Sequence, residues 1–393
     1  MGLAATLLLV GCDADGLPAD DPTTDGDEPA DDDPAADDPP AEGEGPEATP
    51  DGDEVDAYAI AQAAQDAPRL QGITDASDFV PDFDDRGLER WQDEVPAIED
   101  VTVTSTLDGH EQPVLWLPPS GPDAPLLVGL HTWSTPYLQH LGIPYARFAE
   151  EQGWAMVHPN FRGANDRPEA TGSDLAVQDV VDAVDFAVEE GGADPDRVYA
   201  IGFSGGGMMA LLLAGRHPDR LAGAVGWAPN HDLVDWHAYT AEQFPDEPYA
   251  DWLEASCGGD PSTDEAAADE CRHRSPAAHL DAAREAGVPV YLAHGTDDDL
   301  VPPDHGARAF DQLAAPQDRL GEEVVASLRE LTLPDELDGE LEVDPLFGEQ
   351  DPPPRFSRAS GPVTLVLYDD DHDLTYHPGL HWILGLDRRL ADG

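Results

Sequence analysis

One serine in this sequence stands in the setting a nucleophile needs. The run Val198-Tyr-Ala-Ile-Gly202-Phe-Ser204-Gly205-Gly206-Gly207-Met208 reads as an apolar strand, a turn of minimal bulk and the start of an Ala/Leu/Met helix. Glycines two residues before and after Ser204 let the serine project above a sheet while backbone amides approach a bound carbonyl. The helix N-terminus adds partial positive charge beneath a developing oxyanion. A serine hydroxyl is a weak nucleophile near neutral pH, so a base must take its proton and an acid must hold that base in the right tautomer.

Candidates for both follow in the chain, in the order acid then base expected of this kind of turn. The apolar run Val288–Ala293 ends in His294-Gly-Thr-Asp297-Asp298-Asp299-Leu-Val301, which puts three carboxylates at one strand end. The run Val363–Tyr368 ends in Asp369-Asp-Asp371-His372, which puts an imidazole at another, and His372 is the candidate base. Position alone does not choose among Asp297, Asp298 and Asp299. His294, His305, His377 and His381 read as structural or surface residues, with His377 the alternative base. Asp369 to His372 has metal-ligand types, but consecutive residues rarely converge on one ion, so no metal or other cofactor is expected. An oxyanion needs a second amide besides that of Gly205, and the loop His131-Thr132-Trp133-Ser134 after an early strand supplies it. Trp133 is the candidate donor and Thr132 the alternative.

The elements that must position these groups alternate. Val101–Thr106 and Pro113–Leu117 flank Asp108-Gly109 and read as an antiparallel hairpin. Buried-type strands are expected at 126–130, 154–158, 198–202, 221–227, 288–293 and 363–368. Helices are expected over Phe79–Trp91, Tyr145–Gln152, Leu175–Glu190, Gly206–Arg216 and Pro378–Leu390. Strands alternating with helices imply an α/β fold, a mostly parallel twisted sheet covered on both faces. Two longer inserts, about 231–282 and 315–360, each follow a strand end, where loops build sites.

From about residue 98 to the C-terminus the chain resembles α/β-hydrolases of the prolyl oligopeptidase superfamily. The pieces that carry the resemblance are His131-Thr-Trp, Asn160-Phe-Arg-Gly163, the Gly-x-Ser-x-Gly-Gly elbow, Arg274-Ser-Pro276, His-Gly-x-x-Asp298-x-x-Val301 and His372. The resemblance implies that the acid is Asp298. Thr132 stands where the family often has glycine, which leaves the amide donor open between Thr132 and Trp133. Full-length members carry a large β-propeller, and the roughly thirty residues at 68–98 cannot hold one. Gly-Gly-Met-Met after the elbow, with Pro218-Asp219, also resembles feruloyl esterases and polyhydroxyalkanoate depolymerase-like esterases.

The 393 residues carry 83 acidic side chains against 19 basic ones, all arginine, for a formal charge of −64. Such a field disfavours nucleic acid and anionic membrane surfaces as partners. Residues 13–56 hold 19 of the acids and no base. This composition cannot bury enough surface to fold, so a disordered acidic tether is expected over 12–67, ahead of a hydrolase domain over 68–393. Before it, Leu3-Ala-Ala-Thr-Leu-Leu-Leu-Val-Gly11-Cys12 resembles a bacterial lipobox. It implies a signal peptide over 1–11, cleavage before Cys12 and lipidation of its thiol, although no Lys or Arg precedes the apolar run. The expected location is extracytoplasmic, anchored by lipid to a bacterial membrane, periplasmic or at the cell surface. Cys257 and Cys271 bracket part of the first insert and are expected to pair outside the reducing cytoplasm. Trp227, Trp236, Tyr239, Tyr249 and Trp252 are candidates for an aromatic wall or for a small core of the insert.

These features point to a serine hydrolase acting through an acyl-enzyme, with a carboxylic ester favoured because no second peptide-gating domain is visible. The alternatives are a serine peptidase of the same family and a non-catalytic binding protein on a hydrolase scaffold. The expected partner is a small or oligomeric ester, or a short peptide.

Overall fold

The computed structural model describes residues 56–343 and 345–392. The expected signal peptide, Cys12 and most of the expected acidic tether lie outside the described residues. Ten strands make one sheet: β1 Glu99–Thr104, β2 Glu111–Leu117, β3 Ala124–Leu130, β4 Ala155–Pro159, β5 Ala193–Phe203, β6 Gly223–Trp227, β7 Val290–Gly295, β8 Glu340–Leu341, β9 Pro354–Ser360 and β10 Val363–Tyr368. Their order across the sheet is β1-β2-β4-β3-β5-β6-β7-β10-β9-β8. The six strands from β4 to β10 in that order are mutually parallel, while β1, β2 and β9 join antiparallel. The expected hairpin is β1–β2, and the expected central strands are all present.

Side chains alternate across the sheet, and both faces are covered, as a buried parallel sheet requires. Along β5, Tyr199, Ile201 and Phe203 enter a core shared with the helices Ile143–Gln152 and Tyr376–Asp392. Val198 and Ala200 face the other way, against the helices Asp174–Glu189 and Gly205–Arg216. Ser173 caps the first of these, its side chain accepting from Ala176 N at 3.1 Å.

Three expectations need correction. The helix Ala57–Ala64 lies inside the stretch expected to be tether. Its composition is that of a linker, but Ala57, Ile60, Ala61 and Ala64 repeat at helical spacing and are buried. Asp56 caps it, and it docks on the closing helix so closely that a Cβ on Gly385 would meet Ile60 O at 2.2 Å. The helix expected over Phe79–Trp91 is broken into Ala76–Phe79 and Leu88–Glu94. Pro81 bars Val80 from helical geometry, and Gly87 takes φ 144°. Lastly, the second insert adds β8 and β9 to the sheet edge; β9 is half polar, which hides it from an apolar-run reading.

Candidate active site

The groups singled out in the sequence come together at one edge of the sheet. Trp133 follows β3, Ser204 follows β5, Asp298 follows β7 and His372 follows β10, all at the C-terminal ends of parallel strands. Ser204 holds φ 55° and ψ −119°, a conformation that non-glycine residues rarely adopt and that lifts the side chain off the strand axis. The flanking glycines are sterically required. A Cβ on Gly202 would lie 2.3 Å from the backbone of Gly206, and one on Gly206 would lie 2.4 Å from Leu130 O.

His372 Nδ1 donates to Asp298 Oδ2 at 2.7 Å. The other carboxylate oxygen accepts from Leu300 N at 3.1 Å and Val301 N at 2.9 Å. Asp298 is wholly buried while Asp297 and Asp299 are exposed, so the structure separates three carboxylates that position in the chain could not. Burial alone raises the carboxyl pKa of Asp298, but the charge of His372 and hydrogen bonds from His294 and His372 outweigh it and hold the group ionised. Burial likewise opposes charge on His372, and the facing Asp298 carboxylate outweighs it, so the imidazole pKa lies above its ordinary value. The Phe203 ring packs against the imidazole at 4.8 Å.

Ser204 and His372 line the same cavity, of about 330 Å³. No hydrogen bond joins them in this structure, and among the described residues the His372 ring hydrogen-bonds Asp298 alone. His377 is not part of this cavity: it lies against Arg69, Leu70 and Gly72, with its pKa pushed down to about 4 by burial. His305 accepts the amide of His231.

The backbone beside Ser204 separates the two candidate amide donors. A Cβ on Gly205 would lie 2.8 Å from Trp133 N, so these two backbones are in contact. Thr132 N is already used, donating to Gln139 Oε1 at 3.0 Å, whereas Trp133 N makes no hydrogen bond among the described residues. The free amide therefore belongs to Trp133. Beneath this loop His131 stacks on Phe161 at 3.7 Å and bonds Asn160 O through Nε2 at 2.9 Å, which gives Asn160-Phe-Arg-Gly163 a supporting role. Arg162 bonds Asp108 and Asp179.

Several residues around the site were read as structural or not singled out. His294 Nε2 bonds Val301 O at 2.7 Å and lies 3.2 Å from Asp298 Oδ2, so the acid is shared by two imidazoles. Asn165 donates its amide to Trp133 O and holds Thr171 N, while its Nδ2 is buried without a partner beside Gly205. Asp82, Phe83 and Asp84 line the cavity from the broken helix. Of the expected aromatic wall, Trp236, Tyr249 and Trp252 reach the cavity, but Trp227 and Tyr239 do not. Trp227 packs under the sheet with Tyr291 and Tyr368, and Tyr239 sits beneath Arg329 while its hydroxyl bonds Asp299 O. Cys257 and Cys271 are joined by a disulfide that links the helices Tyr249–Cys257 and Glu265–His273. Among the described residues two side-chain groups could share an ion, Asp235–Asp304–His305 and His237–Glu254–Asp260; the first is met by Arg308 and Arg329, and neither includes a residue of the cavity.

The sequence model of the prolyl oligopeptidase family matches residues 144–329. A protein described as an esterase, NocK of Nocardia uniformis subsp. tsuyamanensis, is 42% identical over 28% of this chain and 34% of its own. Feruloyl esterase B of Thermothelomyces thermophilus is 30% identical over 26% of this chain and 38% of its own. An acylamino-acid-releasing enzyme of Arabidopsis thaliana is 30% identical over 39% of this chain and 20% of its own. The matches thus span well under half of these relatives. Among solved structures, a puromycin hydrolase superposes with a TM-score of 0.47 at 19% identity, over 75% of this chain and 38% of that one. Sheet and elbow have the α/β-hydrolase fold, and residues 144–329 match the sequence model of the prolyl oligopeptidase family.

Proposed function

We propose that the protein is a serine hydrolase that cleaves carboxylic esters through an acyl-enzyme. The observation that carries this reading is the convergence of Ser204, His372 and the buried Asp298 at one sheet edge, with the 2.7 Å bond between His372 Nδ1 and Asp298. Ser204 Oγ attacks the acyl carbonyl as its proton passes to His372 Nε2. The carbonyl oxygen becomes an oxyanion held by the amides of Gly205 and Trp133. Collapse breaks the bond to the leaving oxygen, which takes the proton from His372. Water then attacks the acyl-enzyme, giving its proton to His372, and Ser204 is regenerated as the acid departs. Asp298 fixes the tautomer of His372 and faces the imidazolium.

Esters are favoured over peptides because the cavity opens directly at the surface, lined by residues of the hydrolase unit itself, and because two of the relatives are described as esterases. The family match at residues 144–329 supports the peptidase alternative. Parallel turnover of short p-nitrophenyl esters and of aminoacyl anilides separates the two, and faster anilide cleavage overturns the ester reading.

The run ending in Cys12 supports an extracytoplasmic, lipid-anchored location, and the disulfide fits an oxidising compartment. Labelled palmitate is expected in the full chain and lost in Cys12→Ser; equal labelling of both refutes the anchor.

A further inference from the structure

We infer that the cavity over Ser204 is built for acyl groups that carry a positively charged ammonium. This deepens the hydrolase reading and rests on it. The cavity is asymmetric in charge: Asp82 and Asp84 line it from the segment between the helices Ala76–Phe79 and Leu88–Glu94, and Glu247 lines it from the first insert, with His372 the sole basic residue on its wall. Among the described residues none of these three carboxylates has an arginine within ion-pair distance. Asp82 accepts the amide of Asp84, Asp84 accepts the hydroxyl of Thr135, and Glu247 has no side-chain bond.

Aromatic rings line the same cavity as the carboxylates. Tyr249 and Trp252, both half-buried, stand 5.6 Å apart at 86°, and the buried Trp236 backs Tyr249 at 5.5 Å and 54°. The negative face of an aromatic ring attracts a cation, and a quaternary ammonium held among several rings is the strongest form of this contact. The two acidic sides converge on one group: the charges of Glu247 and Asp84 both add to burial in raising the pKa of the Tyr249 hydroxyl. Ser204, only 7% exposed, lines the same space, and its hydroxyl has no hydrogen-bond partner among the described residues. A cation bound at the rings and rim thus lies in the cavity that holds the nucleophile. An anionic acyl group entering there meets three carboxylates instead.

The test uses three p-nitrophenyl esters with the same three-methylene spacer: 4-(trimethylammonio)butanoate, its neutral isostere 5,5-dimethylhexanoate, and the monoester of glutarate. The expected order of kcat/KM at low salt is cationic over neutral by about tenfold, with the anionic ester below the neutral one. The preference shrinks at about 1 M NaCl, because the carboxylates are at the rim and screened. Glu247→Gln and Asp84→Asn each lower the cationic-to-neutral ratio several-fold. Asp219→Asn, at the far end of the helix that Ser204 begins, leaves the ratio unchanged and controls for the field of the whole chain. Equal turnover of the cationic and neutral esters overturns the cage while leaving the hydrolase reading intact. A fall in ratio in Asp219→Asn as large as in Glu247→Gln also overturns it, by assigning the preference to overall charge. Failure to cleave any of the three esters overturns the hydrolase reading and the cage with it.

Discussion

Replacing Asp298 by Asn tests the site through a single oxygen. The carbonyl oxygen of the new amide must stay at the Oδ1 position, because Leu300 N and Val301 N both donate there. Its NH2 then occupies the Oδ2 position, where it donates to His372 Nδ1 across the former 2.7 Å contact. The imidazole is left with its proton on Nε2, facing Ser204, and cannot act as base. By this reversal of tautomer kcat/KM for a p-nitrophenyl ester should fall about 10⁴-fold, roughly 5.5 kcal/mol of barrier. The same NH2 faces His294 Nε2, which already bonds Val301 O, so donor meets donor at about 3.2 Å and stability should fall by roughly 1–3 kcal/mol. Circular dichroism and a urea melt separate this loss from unfolding. Asp297→Asn and Asp299→Asn, at exposed positions, should stay within about twofold of the parent. Retention of a tenth or more of the activity in Asp298→Asn, or an equal loss in either neighbour, refutes the reasoning.

His372 must be neutral to take the serine proton. Burial favours that form, but the Asp298 charge and hydrogen bond outweigh it and raise the pKa above the ordinary 6.5. Activity is therefore expected to fall as pH drops through a midpoint above 6.5, and a kcat/KM profile with its acid limb below 6.5 contradicts this. The disulfide closes a loop with a sequence separation of 14, so replacing Cys257 and Cys271 together by Ser should cost roughly 3 kcal/mol in a urea melt. Reduction of the parent protein should reproduce that loss, and an unchanged midpoint in both experiments removes the bridge from the account.

Much of this site was legible because its parts are local. The elbow is contiguous, and its glycines are dictated by backbone contacts within four residues or against β3. The choice of Asp298 needed a resemblance, yet a local signal was present: its carboxylate caps the amides two and three residues on, a turn that draws the apolar Leu300-Val301 inward and buries the acid. Trp133 over Thr132 was not legible, because it depends on Gln139 consuming the Thr132 amide across a loop. The helix Ala57–Ala64 was hidden by its acidic surroundings, since its stability comes from docking on the closing helix more than three hundred residues away. The cavity wall was hidden likewise. Asp82–Asp84 look like loop residues in sequence, and only the return of the chain over β5 brings Phe83 within 6.1 Å of Phe203.

The most direct test of the account is covalent labelling with a fluorophosphonate, read by intact mass and peptide mapping. A reactive serine hydrolase site should give one adduct per chain, mapped to Ser204, absent in Ser204→Ala and strongly slowed in His372→Ala. An unlabelled parent protein, or labelling that persists in Ser204→Ala, contradicts the central claim.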